Sequence, residues 1–207
     1  MNKQELLARG EALMRAFCAL NELEVPRLDI VPKGDWEFPD ACAYYRAPYI
    51  KLCVERCAAI GVAGMAWSFP GYSVDRTPFG VVAHELGHHV DRVRSGRTQG
   101  YRGTFSTQLR KSSGEERLTS YCPNDAEWFA EMFRLFVTNP NLLKIVRPKT
   151  YALIRELYTP VVTGTWEDVM ADAPERTREA CRKKVKKGEA GPQFSGTQLR
   201  AINDARS

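Results

Sequence analysis

All three histidines of the chain fall within one segment of six residues, which reads His84-Glu85-Leu86-Gly87-His88-His89. Its first five residues match H-E-x-x-H, the helical pattern that supplies two imidazole ligands to one metal ion. At about 3.6 residues per turn, His84 and His88 share one helix face, and Glu85 projects beside them. The placement of every histidine at this spacing favours a metal site over a helix whose imidazoles only pack or cap. The segment therefore has to fold as a helix that is held rigidly inside its domain.

The residues around the motif predict where that helix begins and ends. Thr77 is a suitable N-cap. Pro78 suits the first helical position, because a backbone N–H there would have no partner within the helix. Gly96 is a suitable stop. The positions expected to face the core are Phe79, Val81, Val82, Leu86, Val90 and Val93. We predict a largely buried helix over residues 78–94.

A catalytic zinc ion needs a third protein ligand and one position left open for water. The extended pattern H-E-x-x-H-x-x-G-x-x-H does not supply it, because Asp91 and Arg94 occupy the later positions. Asp91 lies on the same helix face as the two histidines. We expect it to accept an N–H from a ligand imidazole rather than to bind the metal. A surface salt bridge is the alternative for Asp91.

A second predicted helix, from Asn124 onward, offers two candidate carboxylates. Glu127 and Glu131 are one turn apart and share one side of a helix whose other positions are strongly apolar. Burying two carboxylates is costly unless a positive group receives them, and a zinc ion with its histidines is such a group. Two alternatives stay open. Glu127 can form a capping box with Asn124, and Glu131 can pair with Arg134 on a solvated face.

Both segments resemble the anthrax lethal factor-type zinc metallopeptidases. That family pairs H-E-[FLY]-G-H-x-V-D with a later L-T-S-Y and then E-x-F-A-E-x-F-R-L. The chain has HELGHHVD at residues 84–91, LTSY at 118–121 and EWFAEMFRL at 127–135. It is also similar to a small, mostly uncharacterised group of phage and prophage metallopeptidases. The resemblance covers about residues 67–159, less than half of the chain.

The resemblance implies a zincin-like fold that binds one Zn²⁺ per chain. The zinc ligands that it implies are His84, His88 and Glu127. It further implies that Glu85 is the general base and acid, and that Glu131 supports a ligand from behind. Tyr121 would donate a hydrogen bond to the oxyanion, with a plain core aromatic as the alternative.

Two short strands are predicted upstream of the histidine helix, over residues 44–46 and 49–54. Many zinc peptidases carry an edge strand at this point that pairs with an extended substrate. By that resemblance, we expect the second strand to bind a peptide. The residues that would do so are Tyr49, Ile50, Lys51 and Leu52. An ordinary sheet strand with no substrate contact is the alternative.

Length and composition indicate one domain, and the predicted helices and strands make it α+β. A chain of 207 residues with 43% hydrophobic residues can build a single core. We predict a zincin-like domain over residues 1–172, with a small antiparallel or mixed sheet packed on the histidine helix and the glutamate helix. A helix over residues 3–24 should begin at a capping box of Asn2 and Glu5. Residues 96–116 are predicted to form a long loop.

Residues 173–207 form a basic segment that carries much of the net charge of +5. A solvated helix with a flexible tail is the usual explanation, and attraction to nucleic acid without sequence specificity is the other.

The six cysteines are scattered, so we expect them to be reduced and mostly buried. No stretch approaches the roughly 18 apolar residues of a membrane span. Because charged residues also interrupt any signal region, we expect a cytoplasmic protein with no membrane partner.

The sequence therefore favours a zinc metallopeptidase acting on a protein or peptide substrate. Two other classes stay open. One is a phage-derived regulatory protein that binds zinc but is catalytically inactive. The other is a basic nucleic-acid-associated protein in which zinc is structural. A structural zinc normally has four protein ligands, so a three-ligand site beside Glu85 favours the enzyme.

Overall fold

The computed structural model describes residues 1–60, 75–96, 104–117 and 124–182 of the chain. The first part contains helix α1 (Lys3–Leu20) and three strands, β1 (Arg27–Ile30), β2 (Ala43–Arg46) and β3 (Tyr49–Leu52). The helices that follow are α2 (Pro78–Arg94), α3 (Thr104–Ser113), α4 (Asp125–Thr138), α5 (Pro140–Val146), α6 (Pro148–Leu157), α7 (Trp166–Ala171) and α8 (Glu175–Arg182). One-turn 3₁₀ helices lie at Lys33–Asp35 and Val54–Arg56. The predicted α+β class is confirmed.

Helix α1 begins at the predicted capping box. The Asn2 side chain accepts from the backbone N–H of Glu5, whose carboxylate accepts from the Asn2 N–H. The helix ends at Leu20, four residues before the predicted end at residue 24. Asn21 explains the difference, because its side-chain amide donates to the carbonyl oxygens of Phe17 and Thr159. The chain is thereby capped and turned towards β1.

The sheet is mixed and has the strand order β1-β3-β2. Strand β3 pairs in parallel with β1 and antiparallel with β2 along its whole length. The prediction that Tyr49, Ile50, Lys51 and Leu52 form a substrate-pairing edge strand is therefore wrong, since both edges of β3 are already occupied. Ile50 and Leu52 are fully buried. Strand β3 is the inner strand of the described sheet.

Helix α2 has the bounds predicted from the sequence. The Thr77 hydroxyl accepts from the Gly80 N–H, and Pro78 occupies the first turn. Ser95 is the C-cap, and Gly96 follows in the left-handed region at φ 64°. Helix α2 packs between α1 and α4, with β2 also against it. The motif-bearing helix is consequently the centre of the fold.

Helix α3 lies within the segment that we predicted to be a long loop, so that prediction is wrong over residues 104–113. Few apolar residues mark the helix, but they are well placed. Leu109 is buried, and the Phe105 ring contacts the Phe129 ring edge-on at 5.3 Å between centroids. The Ser106 N–H donates to Asp91 at 3.0 Å. These contacts hold α3 against α2 and α4.

The basic segment begins as helix α8, and residues 183–207 lie outside the described part of the chain. Its proposed separation from the domain over residues 1–172 stays a prediction. Among the described residues, no helix combines the length and apolarity needed to cross a membrane. Four cysteines in these ranges are free and buried, as expected: Cys18, Cys42, Cys53 and Cys57.

Candidate metal centre

Helices α2 and α4 bring the three predicted ligands together. The ligand atoms of His84, His88 and Glu127 all lie within 4.8 Å of one another. One Glu127 oxygen is 3.1 Å from Nε2 of His84, and the other is 3.4 Å from Nε2 of His88. Within the described ranges, no other cluster of three or more such side chains converges in this way. This group can hold a metal ion.

The first turn of α4 explains why the Glu127 carboxylate is available. Asn124 caps the helix, and its side-chain oxygen accepts from the Glu127 N–H at 3.0 Å. The Glu127 carboxylate turns towards His84 and His88. The capping role therefore uses the Glu127 backbone and leaves its side chain at the candidate metal centre.

Gly87, inside the H-E-x-x-H motif, lets α4 come close to α2. A Cβ atom at residue 87 would lie only 2.8 Å from Cα of Ala130 and 3.2 Å from its carbonyl oxygen. Real Cβ atoms do not approach backbone atoms so closely, and backbone cannot move aside as a flexible side chain can. The glycine thus sets the distance between the histidine helix and the helix that carries Glu127.

Glu131 supports His84 from behind. Its Oε1 lies 2.8 Å from Nδ1 of His84, and Arg134 donates to both Glu131 oxygens at 3.1 and 2.7 Å. Arg134 is fully buried, so the solvated ion pair that we considered for Glu131 is wrong. Burial favours the neutral carboxyl, but the Arg134 charge and the His84 contact outweigh it and lower the Glu131 pKa to about 2.

The electrostatics of the site favour a cation. Burial opposes the charged imidazole, yet the hydrogen bonds to Glu127 and Glu131 prevail and raise the His84 pKa to about 10. Burial also disfavours the charged form of Glu127, but its contacts with His84 and His88 lower its pKa. Two imidazole nitrogens and a carboxylate oxygen form a donor set of the kind zinc prefers. A metal ion at Nε2 of His84 would replace the proton held there.

Glu85 lies beside this group and is buried. Its Oε2 atom has no hydrogen-bond partner among the described residues, and the Tyr45 backbone lies close enough to its carboxylate to affect the Glu85 pKa. Burial raises the Glu85 pKa, and the neighbouring His88 and His84 partly offset that effect. A buried carboxylate with one oxygen available and a raised pKa is suited to accept and return a proton.

The third histidine, His89, fastens strand β2 to helix α2. Nε2 of His89 lies 3.0 Å from the Glu24 carbonyl oxygen, and this contact requires a proton on Nε2. Nδ1 of His89 then accepts from the Tyr45 hydroxyl at 3.0 Å, and Arg92 donates to that hydroxyl at 3.3 Å. His89 is therefore a structural residue here. Sequence analysis missed the role of Tyr45, whose only signal was its position upstream of the motif.

Asp91 is fully buried, so the surface salt bridge considered for it is wrong. Its Oδ1 accepts from the Ser106 N–H at 3.0 Å and from the Ser95 hydroxyl at 3.3 Å. The Ser106 contact ties α2 to α3. At His84 it is Glu131, rather than Asp91, that contacts Nδ1.

Tyr121, the predicted oxyanion donor, lies outside the described residues, so its role stays a prediction. Comparison with known proteins adds no family assignment. No family model matches the chain, and no curated protein or solved structure shows significant similarity to it.

Proposed function

We propose that the protein is a zinc metallopeptidase with a zincin-like fold and a catalytic zinc site formed by His84, His88 and Glu127. The observation that carries this proposal is the convergence of those three side chains beside the buried Glu85 carboxylate. Two imidazole nitrogens and one carboxylate form a donor set found in catalytic zinc sites. The ligand set has three members among the described residues, which leaves a coordination position for water.

The residues divide the chemistry between them. A zinc ion held at this site supplies Lewis-acid activation of water near neutral pH. Glu85 accepts the water proton at its carboxylate and returns it to the amine that leaves. Glu131 keeps the His84 ring oriented so that Nε2 faces the ligand group. Tyr121 is the candidate donor to the oxygen of the scissile carbonyl.

Strand β2 replaces β3 as the candidate strand for a peptide substrate. In the described sheet, β2 pairs on one side only, with β3. It also packs against α2, and the Tyr45 backbone lies near the Glu85 carboxylate. An extended peptide added to this edge would lie beside the proposed general base.

Replacing Glu85 by glutamine tests the proposal most simply. Glutamine has nearly the same shape but cannot act as a base, and it leaves the three ligands unchanged. Wild-type protein and Glu85→Gln would be incubated with a mixture of fluorescence-quenched peptides and with unfolded casein, and zinc content would be measured in parallel. We expect Glu85→Gln to retain zinc and to lose hydrolysis by several orders of magnitude. Cleavage by Glu85→Gln at the wild-type rate would contradict the assignment.

The second candidate is a nucleic-acid-associated protein with structural zinc. It is supported by the many basic residues after position 172. Salt-dependent DNA binding that Glu85→Gln leaves unchanged, together with zinc binding and no hydrolysis, would favour it. The three-membered ligand group of the described residues favours the enzyme, because structural zinc sites take four protein ligands.

A further inference from the structure

The open edge of strand β2 can be oriented residue by residue from the hydrogen bonds of the sheet. The Cys53 N–H donates to the Cys42 carbonyl oxygen at 2.9 Å, so these two residues form a hydrogen-bonded pair across the β2–β3 hairpin. Hydrogen-bonded and non-hydrogen-bonded pairs alternate along an antiparallel ladder. Ala43 and Tyr45 therefore direct their backbone N–H and carbonyl groups away from β3, towards the open edge.

Two observations support this orientation. Leu52, the partner of Ala43 in the register, has its carbonyl oxygen on the β1 side, where it accepts from the Val31 N–H at 2.9 Å. The Tyr45 backbone, on the open edge, lies near the Glu85 carboxylate. A peptide that forms backbone hydrogen bonds with Ala43 and Tyr45 would consequently lie beside Glu85.

The side chains of β2 lie on two faces of the sheet. The Tyr45 hydroxyl lies 3.0 Å from Nδ1 of His89, so Tyr45 faces helix α2. Successive side chains of a strand point to opposite faces, which places Tyr44 and Arg46 on the outer face. A peptide added to the edge would present every second side chain beside Tyr44 and Arg46. In an antiparallel arrangement these would be non-hydrogen-bonded pairs, in which facing side chains are closest.

Tyr44 belongs to an aromatic cluster on the outer face. Its ring contacts the Phe38 ring at 4.8 Å and the Trp36 ring at 5.6 Å between centroids. Nε1 of Trp36 donates to the carbonyl oxygens of Phe38 and Ala41, which holds the cluster in place. Phe38 is nevertheless 44% exposed. A fixed aromatic surface that the described residues leave partly uncovered is suited to an apolar or aromatic side chain.

The outer face is positively charged near the open edge. Arg46 is exposed, and it forms no ion pair with any of the described residues. Lys51, the partner of Tyr44 on β3, lies on the same face. The next basic residue, Arg27 on β1, is balanced by Asp29 at 2.9 Å. An acidic side chain facing Arg46 across the edge would complement this charge.

We propose that strand β2 selects extended peptides with an apolar or aromatic residue and an acidic residue two positions apart, the first facing Tyr44 and the second facing Arg46. This inference rests on the proposed function, because it takes the bound peptide to be the substrate, and it adds which substrates are preferred. A second copy of β2 is a poor occupant of the edge. The strand reads Ala-Tyr-Tyr-Arg and contains no carboxylate to face Arg46.

Selection from a displayed library of random peptides tests the preference through binding alone. The immobilised protein would be Glu85→Gln, supplied with zinc chloride, so that bound peptides are not cleaved. We expect the selected peptides to share an apolar or aromatic residue and an acidic residue two positions apart. When Arg46→Glu is added, a basic residue should replace the acidic one. The affinity for the originally selected peptide should then fall about 3- to 10-fold.

Arg27→Glu is the matched control for the charge reversal. Arg27 and Arg46 are both in register with Tyr49, so Arg27 lies in the same row of the outer face, but two strands from the open edge. Its reversal should change neither the selected pattern nor the affinity. Tyr44→Ala tests the other position and should weaken binding about 3- to 10-fold. Because Arg46 is exposed, its reversal decides the question even if Tyr44→Ala fails to fold.

Hydrolysis of the selected peptides by the zinc-loaded wild type separates this inference from the proposed function. A charge preference that Arg46→Glu reverses, without any hydrolysis, would support the peptide preference and contradict the enzyme. Hydrolysis whose preference Arg46→Glu leaves unchanged would support the enzyme and overturn the inference. A selection with no shared pattern would also overturn it, and so would equal effects of Arg46→Glu and Arg27→Glu.

Discussion

Nδ1 of His84 lies 2.8 Å from Oε1 of Glu131, on the side of the imidazole ring opposite to Glu127. If His84 binds a metal ion through Nε2, its Nδ1 carries the ring proton. The Nδ1–H group then donates a hydrogen bond to Glu131. That contact fixes both the tautomer and the ring orientation. Arg134 balances the Glu131 charge from the interior. The His84 imidazole is thus positioned by a buried ion pair on the side away from Glu127.

We predict that Glu131→Gln weakens both the fold and the metal site. Glu131 pairs with the fully buried Arg134, and removing one partner of a buried ion pair destabilises proteins by about 3–5 kcal/mol. Zinc affinity should fall about 10- to 100-fold, because the His84 ring loses its charged acceptor. Denaturant unfolding and competitive zinc titration measure the two effects.

Glu11→Gln is the matched control for that variant. Glu11 also pairs with an arginine on its own helix, Arg15, but the Arg15 side chain is exposed and the Glu11 side chain is partly exposed. Its loss should cost at most about 0.5 kcal/mol and leave zinc affinity unchanged. Equal effects of the two substitutions would show that Glu131 has no special role.

Gly87→Ala should move apart the two helices that carry the candidate metal ligands. The added methyl group would meet the Ala130 backbone at 2.8 Å, so α4 must shift and carry Glu127 with it. We expect a destabilisation of about 1–3 kcal/mol, as for other overpacked cores, together with weaker zinc binding. The control is Gly34→Ala, where an added methyl group meets nothing within 4 Å. Wild-type stability and zinc affinity in Gly87→Ala would contradict the close approach.

Tyr45→Phe removes the hydroxyl that joins strand β2 to His89. The buried Nδ1 acceptor would be left without that donor, at a cost of about 1–3 kcal/mol. Zinc content should be retained, since His89 is not a ligand in this arrangement. Tyr44→Phe, one position earlier on the same strand, is the control: the Tyr44 ring packs against Trp36 and Phe38, and loss of its hydroxyl should have little effect on thermal stability. A thermal melt in which the two variants behave alike would remove the role assigned to Tyr45.

The alkylation of Cys42 should depend on pH in a characteristic way. Iodoacetamide reacts with the thiolate, and the Cys42 pKa is lowered to about 6, so its rate should be at a plateau near neutral pH and fall as the pH drops below 6. The rate at Cys18, whose pKa is raised to about 11, should still be rising above pH 9. Mass spectrometry of the two labelled peptides gives both profiles. A Cys42 rate that keeps rising above pH 8 would contradict the lowered pKa.

The local parts of the fold could be predicted from the sequence because local chemistry determines them. Thr77 and Pro78 mark the start of α2, Asn124 marks the start of α4, and the one-turn spacing of His84 and His88 places both on one face. The identity of the third ligand was less certain, because Glu127 suits a capping box equally well. Only the packing of α4 against α2, through Gly87, distinguishes the two roles.

The features that were missed depend on contacts distant in the sequence. The position of β3 between β1 and β2 follows from a parallel pairing across the intervening residues, which no local pattern encodes. Helix α3 is stabilised by Phe129 and Asp91 rather than by a strong apolar stripe of its own. The hydrogen bonds of Tyr45 and Cys42 likewise join residues more than 30 positions apart.

The metal content of the purified protein tests the central claim most directly. Elemental analysis would compare the wild type with His84→Ala/His88→Ala, and with His89→Gln as the control that alters the remaining histidine. We predict about one zinc ion per chain in the wild type and in His89→Gln, and none in the double variant. No zinc in the wild type even after reconstitution, or equal zinc in the double variant, would contradict a metal centre at these residues.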